Sequence, residues 1–178
     1  PMRSKTGLLA AALALSGCAT LDLDLDRLTD TEDVFSTKST PVSAFAMRWD
    51  HRPEADAWTA RTAAALDSHG AALVATMPAD IDTWCPGYAS ADTEGRKAFW
   101  TGLLSTLAKH ESTWNPAAVG GGGKWFGLVQ ISPATARHYG CAARSGAALK
   151  DGAANLSCAV RIMNVTVPRD GVVSKGMR

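Results

Sequence analysis

Two stretches of the sequence decide the fold: AKHESTWNP at residues 108–116 and GLVQISPATA at residues 127–136. The first ends a segment of helical periodicity whose apolar stripe consists of Trp100, Leu103, Leu104 and Leu107. One helical turn beyond Leu107, the same stripe reaches Glu111. Asn115-Pro116 then ends the helix, because the residue before a proline is disfavoured in the helical region. We therefore expect Glu111 on a buried helix face, away from the solvated lysines Lys97 and Lys109.

A buried carboxyl has a definite chemical use. Burial against apolar side chains raises the pKa of a carboxylic acid, because the charged form loses its hydration. Such an acid can protonate a poor leaving group, for example a glycosidic oxygen, near neutral pH. Glu111 is the one acid of this chain that we expect in such a setting. The alternative is a surface glutamate that stays in solvent beside Lys109 and His110.

Taken together, the two stretches resemble the soluble lytic transglycosylase family and, more distantly, goose-type lysozymes. The resemblance is carried by the pair Glu111-Ser112, the segment Gly127-Leu128-Val129-Gln130-Ile131 and the helix start Pro133-Ala134-Thr135-Ala136. It covers about Phe99 to Met163 and implies a mainly α, lysozyme-like domain. The family's further helix, which carries a tyrosine in an Ala-x-Tyr-Asn-like motif, is not found before Arg178. The resemblance therefore leaves the last helices of the fold open.

The resemblance implies cleavage of peptidoglycan glycan strands between N-acetylmuramic acid and N-acetylglucosamine. Most glycosidases use two carboxylates, and no second acid stands near Glu111 in the sequence. In the family, the N-acetyl group of the muramic acid stabilises the positive centre and its C6 hydroxyl closes a 1,6-anhydro ring. Glu111 would act first as acid and then as base, with no cofactor. The alternatives are a lysozyme-type hydrolase and a non-catalytic peptidoglycan-binding lipoprotein.

The same resemblance assigns further residues to the substrate. Ser112 would orient the Glu111 carboxyl, or else cap the helix end. Gln130 would present its amide to the sugar, and Asn155 would bond the carboxyl or the acetamido group. Trp125 and Phe126 would stack on sugar faces, or else anchor their loop in the core. The four glycines at residues 120–123 lack the Gly-Lys-Ser/Thr ending of a phosphate cradle, which favours a mobile loop beside a groove.

The N-terminus carries an export signal. Basic residues precede an apolar run at residues 7–15, which has about half the roughly 20 residues that a membrane span needs. Leu15-Ser16-Gly17-Cys18 at its end resembles the bacterial lipobox, whose cysteine receives a lipid. We expect a signal peptide at 1–17, a lipidated acidic tether at 18–43 and the transglycosylase domain at 44–178, with its core at 92–165. Ala19 favours attachment to the outer membrane, facing the periplasm.

The composition is that of an ordinary folded domain, with 46% hydrophobic residues, 20% charged residues and a net charge of +1. This net charge does not support nucleic-acid binding. The charge is uneven, with six acids against Arg27 in residues 22–33 and nine Lys or Arg against three acids in residues 109–178. The basic half can favour an anionic polymer such as peptidoglycan, or it can be an ordinary mixed surface.

Three cysteines follow Cys18, namely Cys85, Cys141 and Cys158. An oxidising periplasm permits a disulfide, and three single bridges are possible. We favour Cys141 with Cys158, since both flank the short loop and helix after Gly140. The sequence has no Cys-x-x-Cys or His-x-x-x-His spacing, so we expect no metal site.

Shorter segments complete the prediction. Residues 53–76 predict a helical hairpin or a kinked helix, interrupted at Gly70. Residues 80–88 predict an irregular turn whose Trp84 either packs on the core or lines a sugar site. Asp92 or Thr93 can cap the helix that leads to Glu111. Ser132 can cap a short helix that runs to Tyr139, and Asp151 can cap a helix that runs to about residue 165.

Overall fold

The computed structural model describes residues 39–174. The helices are α1 (Ala55–Ser68), α2 (Ala71–Ala75), α3 (Ile81–Trp84), α4 (Thr93–Ser112), α5 (Pro133–His138) and α6 (Gly152–Asp170). An antiparallel hairpin pairs β1 (Val119–Gly120) with β2 (Trp125–Phe126). The prediction of a mainly α fold is confirmed. The predicted signal peptide, Cys18 and most of the tether lie outside the described residues.

Hydrogen-bonded aromatic side chains occupy the centre of the core. Trp49, Trp100 and Tyr88 are fully buried. The indole of Trp100 donates to the Tyr88 hydroxyl at 2.9 Å, which in turn donates to the carbonyl of Val74 at 3.2 Å. The indole of Trp49 donates to the Thr59 hydroxyl at 2.9 Å. Because an unpaired buried polar group costs about 1–3 kcal/mol, these bonds allow the large rings to be buried without that penalty.

The first turn of α4 is fixed by charged residues. Asp92 is the N-cap, as expected, and its carboxylate accepts a hydrogen bond from the backbone N–H of Gly95 at 2.8 Å. The prediction that Lys97 is solvated is wrong, because its side chain is only 5% exposed and pairs with Asp67 and Glu94. Burial acts to lower the pKa of Lys97, but hydrogen bonds and charge attraction from the two carboxylates outweigh it and raise the pKa.

The buried face of α4 also differs from the prediction. It follows Trp100, Thr101, Leu104, Ser105 and Ala108. Leu103 is half-buried and Leu107 is 39% exposed. The helix turns its small hydroxyl residues inward because Ser105 Oγ accepts a hydrogen bond from the backbone N–H of Trp49 at 3.0 Å. A pattern of apolar residues alone therefore placed the stripe too far toward Leu107.

The chain before α4 is a broken helix followed by turns. The predicted interruption at Gly70 is confirmed, since α1 ends at Ser68 and α2 begins after Gly70. The predicted irregular turn contains one helical turn, α3. Of the two alternatives for Trp84, packing on the core is wrong, because its ring is 45% exposed and its indole donates to Asp80 at 3.0 Å.

The chain after the hairpin follows the prediction at its helix starts. Ser132 caps α5 and Asp151 caps α6, each through a side-chain oxygen that accepts a backbone N–H. Helix α6 is longer than expected and ends at Asp170, with Pro168 in its last turn and Gly171 as its left-handed C-cap. A disulfide joins Cys141 to Cys158, the pair that the sequence favoured.

Packing begins inside the segment expected to be tether. Val42 is buried, and its backbone N–H donates to the Glu94 carboxylate in the first turn of α4 at 3.3 Å. At the other end of the described chain, Asp80 accepts hydrogen bonds from the backbone of Val173 and Ser174. Among the described residues, every helix is too short or too polar to cross a membrane.

Candidate active site

The C-terminal turn of α4 is joined to the turn at residues 127–130 by one side chain. The hydroxyl of Ser112 donates to the carbonyl of Leu128 at 2.8 Å, and the carbonyl of Ala108 lies 3.1 Å from the same hydroxyl. Ser112 was expected to hold the Glu111 carboxyl or to cap the helix. Its hydrogen bonds go to backbone carbonyls, so Ser112 fixes the end of α4 against the start of the second stretch, Gly127-Leu128-Val129-Gln130, and positions Glu111 through the helix.

The side chain of Glu111 is exposed, which overturns the expectation of a buried acid. The face of α4 that packs on the core passes through Ala108, and Glu111 lies at its edge, in the last turn, where the core no longer covers the helix. Lys109 and His110 are exposed beside it. Glu111 nevertheless stands apart chemically, because it is the only Asp or Glu between Glu94 and Asp151.

Three residues at the end of α4 and in the 127–130 turn have a left-handed backbone conformation. Thr113 (φ 51°) and Trp114 (φ 56°) follow Ser112 directly, and Gln130 (φ 48°) lies in the facing turn. This conformation is unfavourable for residues with a side chain, above all for a β-branched threonine, and it persists only where neighbouring contacts enforce it. The Trp114 indole supplies such contacts, since it donates to the carbonyl of Ser105 at 2.9 Å and its ring packs edge-on against His51.

The glycine loop folds as a hairpin and presents one aromatic ring. Trp125 is 47% exposed, while Phe126 is half-buried and its backbone pairs with Ile131. Lys150 lies over the Phe126 ring at 6.0 Å. Of the two alternatives for each ring, Phe126 therefore has the contacts of a loop anchor, whereas Trp125 has a free face.

The amide of Gln130 is used inside the hairpin. Its Nε2 donates to the carbonyl of Gly127 at 2.8 Å, and the side chain is half-buried. Its Oε1 lies where a side chain at Gly120 would stand. Gln130 thus holds the hairpin onto the 127–130 turn, so in this structure its amide N–H group faces protein and only the oxygen remains for a sugar donor.

Asn155 was expected to contact the carboxyl or the sugar, and the structure places it elsewhere. The residue is completely buried. Its Oδ1 accepts the backbone N–H of Val129 at 3.0 Å, and its Nδ2 donates to the carbonyls of Phe126 and Leu149, each at 3.0 Å. Both amide hydrogens and one acceptor position are therefore occupied. Asn155 holds the 126–129 backbone in place and has no direct access to substrate.

The site residues therefore include one exposed carboxylic acid, at the end of α4, and one exposed indole, on the hairpin. Ser112 and Asn155 hold the backbone of the 126–129 segment in place. Within residues 39–174, no group of three or more His, Cys, Asp or Glu side chains is placed to hold a metal ion. The sequence did not predict the anchoring role of Trp114 or the carbonyl of Leu128 as the partner of Ser112. Neither a backbone acceptor nor a tryptophan with left-handed backbone conformation can be recognised from a sequence pattern.

Comparisons with known proteins identify the family. The profile described as the transglycosylase SLT domain matches residues 89–170, which include both diagnostic stretches and all six predicted site residues. Solved structures of DslA (Bd0314) are 32% identical in sequence over 78% of this chain and 78% of theirs, with a TM-score of 0.65. The chain belongs to the transglycosylase SLT domain family.

The DslA structures include the wild-type protein and two variants that each have a glutamate replaced by glutamine. A search of curated proteins finds no match. As an SLT domain, the chain has the lysozyme-like fold that its sequence predicted, and its family indicates a lytic transglycosylase-like activity. Within that domain, Glu111 lies in the last turn of α4, and Ser112 joins this turn to the 127–130 turn.

Proposed function

We propose that this chain cleaves peptidoglycan glycan strands as a lytic transglycosylase, with Glu111 as its acid and base. The observation that carries the proposal is the isolation of the Glu111 carboxyl along the sequence of the matched domain. Glu111 is the only acid in the 56 residues that separate Glu94 from Asp151, counting neither end. A two-carboxylate mechanism has no second residue in this part of the chain, whereas a substrate-assisted mechanism needs only one.

The proposed reaction breaks the bond between C1 of N-acetylmuramic acid and O4 of N-acetylglucosamine. Protonated Glu111 gives its proton to O4 as that bond breaks. The acetamido oxygen of the muramic acid stabilises the positive charge at C1. The C6 hydroxyl oxygen then bonds to C1 and releases its proton to the Glu111 carboxylate. No water is consumed, and the acid is returned to its starting state.

Because Glu111 is exposed, the substrate itself has to exclude water from the acid. A proton donor works best in a site from which water is excluded. In the ligand-free structure the carboxyl faces solvent, so the glycan strand itself must cover it. The exposed face of Trp125 is suited to one part of that cover, since sugar rings stack on flat apolar surfaces and the indole loses little freedom on binding.

A lysozyme-type hydrolase is the second candidate, and the same exposure favours it. Water that can reach Glu111 can also reach C1 and compete with the C6 hydroxyl. The two reactions differ in their products, because transglycosylation leaves 1,6-anhydro ends that are one water lighter than the reducing ends left by hydrolysis.

The proposal further places the chain in the bacterial envelope, held to the periplasmic face of the outer membrane by a lipid on Cys18.

The test uses purified sacculi and mass analysis of the released fragments. The wild-type chain should release anhydro fragments, and Glu111→Gln should release none. His110→Gln is the matched control, because it changes the neighbouring exposed side chain and should keep activity. Release of reducing ends by the wild type would replace the proposal by the hydrolase, and equal release by Glu111→Gln would exclude Glu111 as the acid.

A further inference from the structure

Four arginines lie around the Cys141–Cys158 disulfide. Arg61 from α1 and Arg161 from α6 line a small pocket whose floor includes both cysteines. The other two follow along the surface, since Arg144 Nε donates to the carbonyl of Cys141 at 2.6 Å and Arg137 Nη1 donates to the carbonyl of Arg144 at 3.2 Å. We call this set, Arg61, Arg137, Arg144 and Arg161, the arginine patch.

The charge of the arginine patch is not neutralised by nearby acids. Over residues 39–174 the salt bridges involve other cations, and none of the four guanidinium groups forms one. Three acids of these helices and their caps are engaged elsewhere, because Asp67 pairs with Lys97, Asp170 pairs with Arg169 and Asp151 caps α6. Four permanent positive charges on one surface form a strong attraction for anions.

The pocket between Arg61 and Arg161 is sized for a small anion. Its volume is about 60 Å³, and its wall includes the side chain of Ser157. Two guanidinium groups that flank a pocket can each donate paired N–H groups to a carboxylate or a phosphate, which a lysine cannot do. The chemistry of the pocket is therefore that of an oxyanion site.

This surface continues toward the candidate active site. The loop that carries Arg144 goes on to Gly146, which packs so closely on the Phe126 ring that a side chain there would overlap it. Lys150, at the end of the same loop, places its ammonium group 6.0 Å from the centre of that ring. The loop that carries Arg144 and Lys150 therefore joins the arginine patch to the hairpin that carries Trp125.

We propose that the arginine patch binds the carboxylates of the peptide stems carried by the glycan strand, with the Arg61–Arg161 pocket holding one of them. The inference rests on the proposed function, because that function identifies the polymer as peptidoglycan. The sugar chain of peptidoglycan has no net charge at each repeat, whereas its peptide stems end in carboxylates. The patch thus recognises a part of the substrate that Glu111 and Trp125 do not contact.

Binding is measured in the Glu111→Gln chain, so that the polymer stays intact. Two polymers are compared: intact sacculi, and the same strands after an amidase has removed the stems and the lactyl carboxylates that this exposes have been converted to neutral amides with ammonia and a carbodiimide. Arg61→Gln together with Arg161→Gln should weaken binding to intact sacculi about tenfold, which is the low end for charge-assisted hydrogen bonds. Binding to the stem-free strands should not change. Arg169→Gln removes an exposed arginine that already pairs with Asp170, and should leave both affinities unchanged.

A second pair of variants separates a built site from a general field. Arg61→Lys together with Arg161→Lys keeps the charge and loses the paired donors, so it should also weaken binding to intact sacculi. Full binding by this lysine variant would overturn the site. Equal losses on intact and stem-free polymers would overturn the assignment to peptide stems. Binding of the same variants to vesicles that contain phosphatidylglycerol is measured as well, and a loss seen only on these vesicles would also overturn the assignment.

The proposed function is tested separately, by the activity of the chain with all its arginines on the stem-free strands. Anhydro products from those strands together with unchanged affinities in the arginine variants would overturn this inference alone. Absence of any cleavage of either polymer would overturn the proposed function.

Discussion

The indole ring of Trp125 occupies the space that a side chain at Gly121 would need. Gly121 has φ 56° and Gly122 has φ 64°, so both adopt the backbone conformation that favours glycine. They differ in their surroundings, because a Cβ at Gly122 would meet nothing within 4 Å. Substitutions at these two glycines therefore distinguish the effect of moving the Trp125 ring from the effect of straining the backbone.

Gly121→Ala should displace Trp125, and Gly122→Ala should not. Both variants carry the same backbone strain and should lose about 1 kcal/mol of stability. If Trp125 stacks on the glycan, only Gly121→Ala should raise KM for sacculi, by severalfold. Thermal unfolding measures the first effect and kinetics the second. Identical KM values in the two variants would mean that the indole does not contact the substrate.

Asn155→Ala should be among the most destabilising substitutions in this chain. It leaves the N–H of Val129 and the carbonyls of Phe126 and Leu149 without their buried partner. At about 1 kcal/mol or more for each lost bond, the loss should be about 3–4 kcal/mol. Asn164→Ala, which removes one hydrogen bond to the Leu73 backbone, should cost about 1 kcal/mol in the same urea titration. Similar losses would show that Asn155 is not the main support of the turn.

Ser112→Ala should reduce turnover more than stability. Loss of the bond to Leu128 should cost about 1 kcal/mol. The end of α4 would then shift relative to the 127–130 turn, and small displacements of a proton donor have large effects on rate. We expect kcat to fall at least tenfold with KM little changed. Thr106→Ala removes a hydroxyl that bonds only within the same helix, and its kcat should stay near the wild-type value.

Asp80→Asn should destabilise the chain at neutral pH and not in acid. Partial burial acts to raise the pKa of Asp80, but hydrogen bonds from the backbone N–H groups of Val173 and Ser174 and from the Trp84 indole outweigh it, and the pKa lies below the usual 3.8. A carboxylate with a lowered pKa stabilises the folded state above its unfolded pKa, and this contribution disappears as the pH falls through the folded value.

The loss in Asp80→Asn should be no more than about 1 kcal/mol at pH 7, because water screens a partly exposed carboxylate. It should shrink progressively below about pH 4. Unfolding curves of the two proteins across this range measure the difference. A difference that stays constant down to pH 2 would mean that the charge of Asp80 does not contribute to stability. The loss would then come only from the different hydrogen-bonding geometry of the asparagine amide.

The sequence predicted the helix starts and the family, and missed the depth of the site. Asp92, Ser132 and Asp151 act as caps through local hydrogen bonds that depend on a few neighbouring residues, so short-range patterns suffice to find them. The rotation of α4 depends on Ser105 accepting a bond from Trp49, 56 residues away. No pattern within the helix contains that partner, so Glu111 was placed deeper than it lies.

The same limit explains the side-chain amides. Gln130 and Asn155 were assigned to the substrate because their positions match the family's order, which fixes where a residue stands along the chain. Order does not show which way an amide faces. Asn155 turns inward because three backbone groups of the 126–129 and 149 segments would otherwise be buried without partners.

The contact between Val42 and Glu94 fixes where the described chain enters the domain, at the first turn of α4. Glu111 lies 17 residues further along the same straight helix, a distance of about 25 Å. The point where the described chain joins the domain therefore lies at one end of this helix, and the acid lies at the other. A glycan strand bound at the acid would be held a full helix length away from that junction.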